Sequence, residues 1–106
     1  MFYDATCEHC QRVAVNLSKR SKELTAINLY MISLDEPKSI NYFMVTFGKP
    51  LLALKTITVL RDKDMMFIPL FHPQQYPSLY LYGKDKRLIF FSSKEKEVGK
   101  FFSLLK

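Results

Sequence analysis

Phe2-Tyr3-Asp4-Ala5-Thr6-Cys7-Glu8-His9-Cys10 opens with two apolar residues, passes through a polar turn and ends on two cysteines. They are the only cysteines in a chain of 106 residues. Beyond them, Val13, Ala14 and Leu17 continue from Cys10 at spacings of three, one and three, which is one face of a helix. The pair therefore begins a helix that follows an apolar stub. Two thiols so placed can close a disulfide within one turn. Cys7 comes first, at the positive end of the helix dipole, where free backbone N–H groups favour thiolate over thiol. A cationic His9 adds to this effect and Glu8 opposes it, so these two are the candidate tuning residues.

Other readings of the pair compete. A structural zinc site needs four ligands, and beyond the two cysteines only His9, between them, and distant His72 are histidines. A purely structural disulfide across so small a loop gains little entropy. Two incidental buried cysteines would line the helix interior rather than start the helix.

Working outward, Ile27-Asn28-Leu29-Tyr30-Met31-Ile32 is apolar on nearly both faces, as a covered parallel strand is. Ile40, Phe43, Met44 and Phe47 repeat the helical spacing, with Pro37 near the start and Gly48 and Pro50 as the stop. Thr56-Ile57-Thr58-Val59-Leu60 predicts a short strand, and 63–71 a short helix bent or ended by Pro69. Asp62-Lys63-Asp64 reads as a turn, since two carboxylates alone make no oxygen cage. Leu79-Tyr80-Leu81-Tyr82 and Leu88-Ile89-Phe90-Phe91 flank a loop containing Gly83, which predicts a hairpin. Val98, Phe101, Phe102 and Leu105 form the last helical stripe, and Ser92 with Glu95 offers a capping box at its start. The order is strand, helix, strand, helix, strand, helix, hairpin, helix. Such alternation predicts an α/β fold with helices on both faces of a mixed central sheet.

The length allows one domain, residues 1–106, and the 48% hydrophobic content excludes a disordered chain. The charge of +6 comes from scattered lysines and arginines interleaved with acids, with no basic motif, so no nucleic acid is expected as a partner. No stretch approaches the roughly 18 apolar residues of a membrane span. The start at Met1-Phe2-Tyr3-Asp4 reads as the inside of a folded element, which predicts a truncated first strand and a longer natural chain. Any membrane attachment would then lie in a segment before Met1.

Tyr76-Pro77 directly precedes the strand that begins at Ser78, and a proline there marks an edge or a fixed turn, often cis. With the cysteine pair in a βαβ context, these residues resemble the thioredoxin superfamily, whose cis-proline loop packs beside its CxxC. Phe2-Tyr3-Asp4-Ala5-Thr6-Cys7-Glu8-His9-Cys10 looks like the active-site segment of TlpA/ResA-type bacterial thiol-disulfide oxidoreductases. Tyr76-Pro77-Ser78-Leu79-Tyr80-Leu81-Tyr82-Gly83-Lys84-Asp85-Lys86 resembles their cis-proline, strand and turn, and residues 35–62 resemble the helix and strand that this branch inserts. Thr6 stands where that family commonly has Trp, and Val13 where some members have Glu.

The resemblance implies a thioredoxin-like fold and thiol-disulfide exchange, in the reductase direction. Cys7 would be the nucleophile and Cys10 the resolving thiol; Tyr76 and Pro77 would bind substrate, and Glu8 would be solvated or move a proton. The redox-active Cys7–Cys10 disulfide would serve in place of a cofactor, with no metal. Partners would be protein thiols and disulfides and a membrane or soluble thiol-redox donor, in a periplasmic or membrane-anchored, extracytoplasmic setting. Two other classes stay open. One is a copper-handling domain, because thiolates suit Cu(I); it needs a third ligand that only His72 could supply. The other is a non-catalytic interaction domain of a larger protein.

Overall fold

The first strand, β1 (Phe2–Tyr3), is two residues long and holds the middle of the sheet. In this computed structural model, which describes residues 1–105, β1 runs parallel to β2 (Leu29–Ser33), and β2 runs parallel to β3 (Ile57–Arg61). On its other side, Phe2 and Ser78 exchange two backbone hydrogen bonds of 2.9 Å in an antiparallel bridge. That bridge joins β1 to the hairpin of β4 (Leu79–Tyr82) and β5 (Leu88–Ser92). The result is a small mixed sheet in an α/β fold, in the order β3-β2-β1-β4-β5.

Alternation along β1 separates two faces. Tyr3 stacks on Phe43 at 4.4 Å between ring centres, whereas Phe2 stacks on Phe67 at 4.2 Å. The Tyr3 face carries α1 (Glu8–Lys19), α2 (Pro37–Phe47), α3 (Lys49–Leu52) and α5 (Val98–Ser103). Its core holds Val13, Leu17, Met31, Phe43, Leu51 and Phe102, each essentially inaccessible. The expectation of helices on both faces is met unequally. Among the described residues the Phe2 face carries only α4 (Phe67–Phe71), and Tyr30, Leu60 and Phe91 on that face stay exposed.

Other expectations shift for local reasons. Gly48 ends α2 as expected, but Pro50 does not end helical structure. It falls in the first turn of α3, where its missing N–H is not needed. The helix expected over 63–71 begins only at Phe67, because Asp62 folds the preceding residues into a turn. Its carboxylate accepts from Met66 N–H at 3.0 Å and Phe67 N–H at 2.7 Å. Pro69 then falls in the first turn of α4 rather than in a helix interior. The capping box is not formed. Ser92 bonds Glu97 instead, a 3-10 turn at Glu95–Glu97 precedes α5, and Glu95 reaches across to α1. A further 3-10 turn at Ser21–Leu24 links α1 to β2; no sequence signal pointed to it.

Candidate redox site

The site grows from the turn between β1 and α1. Asp4 folds it: its carboxylate accepts from the backbone N–H of Thr6 at 2.8 Å and from its hydroxyl at 2.7 Å, an Asx turn. Asp35 fixes it from outside. It follows β2, and its carboxylate accepts from the Ala5 N–H at 2.8 Å and from the Ser33 hydroxyl. Ser33 is itself wholly buried. The turn delivers Cys7 to the N-cap of α1, with φ −79° and ψ 119°. A helix N-cap side chain accepts from an otherwise unpaired N–H of the first turn. Here the acceptor is sulfur: Cys7 Sγ lies 3.2 Å from the Cys10 N.

Both cysteines are free thiols. Cys7 is half-buried, whereas Cys10 is fully enclosed on the core face with Val13, Ala14 and Leu17. Burial pushes the Cys10 thiol far above its ordinary range, and its hydrogen bond to Cys7 pushes the same way. The two thiols are therefore unequal in access.

The Tyr76–Pro77 peptide bond is cis. Pro77 is buried, and the Cys7 thiol donates to the Tyr76 carbonyl at 3.8 Å. Residues 69 positions apart thus meet at one sulfur. The Tyr76 N–H has no protein acceptor among the described residues. The Tyr76 ring packs against Phe2 at 5.3 Å, which ties this loop to the centre of the sheet.

Cys7, Cys10, Tyr76 and Pro77 come together. Glu8 and His9 are placed differently. Glu8 is exposed and stands 3.8 Å from an Arg12 Nη1. His9 Nδ1 lies 2.9 Å from Arg12 Nη2 and 3.6 Å from Glu95. The centre of this group is Arg12, whose Nε–H donates to Glu95 at 2.6 Å. Arg12 holds the Glu95 carboxyl below the usual carboxylate range, with His9 adding less. Its fourth-neighbour spacing from Glu8 is a helix-pair signal that could have singled it out.

Tyr3 was likewise not among the expected site residues. Its ring is core, but its hydroxyl is buried and makes no hydrogen bond among the described residues. Burial raises its pKa strongly, and the charges of Asp35 and Cys10 raise it further.

No three His, Cys, Asp or Glu side chains gather as a metal-binding group among the described residues. No helix of the described residues is long and apolar enough to cross a membrane. No family model matches the chain, and no curated protein matches it.

Proposed function

We propose that the chain is a thiol-disulfide oxidoreductase of thioredoxin-like fold, with Cys7 as the attacking thiol and Cys10 as the resolving thiol. The observation that carries this reading is the convergence on Cys7 Sγ. The Cys10 N–H and the Tyr76 carbonyl both stand beside one half-buried sulfur at a helix start. The sheet order β3-β2-β1-β4-β5, with the cysteine pair after the central strand and Pro77 before β4, supports the fold assignment.

In the reductive direction, the Cys7 thiolate attacks one sulfur of a substrate disulfide. A Cys7–substrate bond forms, the substrate S–S bond breaks, and the leaving thiolate takes a proton from water. Cys10 then loses its proton and attacks Cys7, which releases the second substrate thiol. Two electrons pass to the substrate and the Cys7–Cys10 disulfide remains. The enclosure of Cys10 keeps it out of the first attack and reserves it for the second. Pro77 lacks an N–H, so the free Tyr76 N–H is the group that would meet an extended substrate backbone. We favour the reductase direction and an extracytoplasmic setting, both on the resemblance to TlpA/ResA-type proteins.

Copper handling needs a third ligand beside the two thiols, and no such group of three is present among the described residues. The deciding measurement is equilibration with dithiothreitol and glutathione buffers, read by alkylation. A reversible two-electron couple near −270 mV fits a reductase, and one near −120 mV fits a disulfide-forming catalyst. Thiols that never cycle would overturn the redox reading.

A further inference from the structure

An open groove of about 820 Å³ runs between the C-terminal half of α1 and the segment that links β5 to α5. Its lining includes His9, two positions from Cys7, and Tyr76, whose carbonyl accepts from the Cys7 thiol, so it adjoins the redox site. Its charges are unbalanced. Lys19 lies on one wall and Lys94 and Lys96 on the other, all three exposed and none in an ion pair among the described residues. Glu95 is the one carboxylate among the described lining residues, and Arg12 and His9 already hold it. Glu97, the neighbouring acid, is not a lining residue; it accepts from the Ser92 hydroxyl and stays ionised, and the nearby charges of Lys94, Lys100 and Lys96 help to hold its carboxyl below the usual range, so it offsets part of the charge on that wall.

Arg20 also lines the groove, but it is spent. Its guanidinium grips Glu23 at 2.5 and 2.7 Å and lies 4.1 Å over the Phe102 ring. That occupancy removes the planar fork that recognises phosphate in bidentate fashion. What remains is a set of single ammonium charges on two separate elements. These suit a string of carboxylates along an extended chain better than one compact anion.

We propose that this groove binds an acidic polypeptide segment and leads it to Cys7. The partner is a protein whose reactive disulfide or thiol is flanked by Asp and Glu. The electrostatic part stands on the groove alone, whereas delivery to Cys7 rests on the redox reading above. The lysines raise the encounter rate and select the partner, as complementary exposed charges do.

The test separates these two parts. The isotope-labelled, reduced full chain is titrated with a cysteine-free nine-residue peptide carrying alternate Glu, and with its Lys counterpart, by NMR. Shifts at the amides of Lys19, Gln75, Lys94 and Lys96, about tenfold tighter for the Glu peptide and weakened by salt, are expected. The triple variant Lys19→Glu/Lys94→Glu/Lys96→Glu should reverse the preference. The salt dependence of the unmodified chain decides the matter if that variant does not fold. Equal binding of the two peptides, or shifts elsewhere, overturns the proposal. Saturation of the same amides by oxidised glutathione or by a short single-stranded oligonucleotide at equal or lower concentration overturns it too. Placing the same flanks beside a disulfide then tests delivery. Binding without faster exchange removes the redox link and leaves the acidic-peptide site.

Discussion

The sulfur of Cys7 and the carbonyl oxygen of Tyr76 lie 3.8 Å apart across a sequence separation of 69 residues. The contact is open on one side, since Cys7 is only half-buried, while Cys10, three residues on, has no accessible surface. Iodoacetamide on the reduced chain should therefore label Cys7 at least about a hundredfold faster than Cys10, by peptide mass spectrometry, because the thiolate and its access set the rate. Equal labelling of the native chain would contradict the division of roles.

A Cys10→Ser variant should accumulate a stable mixed disulfide with a protein substrate, and Cys7→Ser should accumulate none. Non-reducing gel electrophoresis reads both. The reason is positional, since only Cys7 is reachable from outside the core.

Stability of the reduced chain should fall above about pH 8.5, the ordinary value for a free thiol. The sign follows from Cys10. Burial raises its folded pKa above the unfolded value. Above that unfolded value, the unfolded chain ionises and the folded one does not. The loss should amount to about 1.4 kcal/mol for each further pH unit until the folded thiol itself ionises. Urea unfolding at pH 7.5, 8.5 and 9.5 measures it. The oxidised chain, with no thiol to titrate, should show a flatter profile.

Tyr3→Phe should stabilise the fold. The Tyr3 hydroxyl is buried with no partner, and an unmet buried hydroxyl costs roughly 1–3 kcal/mol. The ring and its stacking on Phe43 are kept. A gain of about 1 kcal/mol in denaturant unfolding is expected.

Asp35→Ala should destabilise by about 3 kcal/mol, because it leaves the Ala5 N–H and the buried Ser33 hydroxyl without their acceptor. The turn carrying Cys7 loosens, so labelling of Cys10 should accelerate in the native state. Thermal unfolding and alkylation kinetics check the two halves.

The paired cysteines with their helix, the apolar stub before them and the proline before a strand were legible because each is a local signal. Cys10, Val13, Ala14 and Leu17 do occupy one buried face. Of the supports of the site, Arg12 alone left a local trace, its spacing from Glu8; the long-range pairing of the supports was not legible. Asp35, Arg12 and Glu95 act through partners 30 or 83 positions away, as in Asp35 to Ala5 and Glu95 to Arg12. Nothing in local spacing announces such pairs. The capping box failed for the same reason: Glu95 is drawn off by Arg12, and Ser92 finds Glu97. His9 lies between the cysteines in sequence, yet its ring nitrogen meets Arg12 and Glu95.

The bridge between Phe2 and Ser78 also has a meaning in time. β1 is only two residues long, and its partner across the bridge is made 76 residues later. Local helices form fast, whereas contacts between distant segments wait for long loops to close. The Cys7 side of the site is thus made well before the Tyr76 side that meets it. Any truncated or stalled chain that ends before Tyr76 lacks the carbonyl that Cys7 meets. In such a chain that contact cannot form, and it exists only once the segment leading into the hairpin has docked on β1.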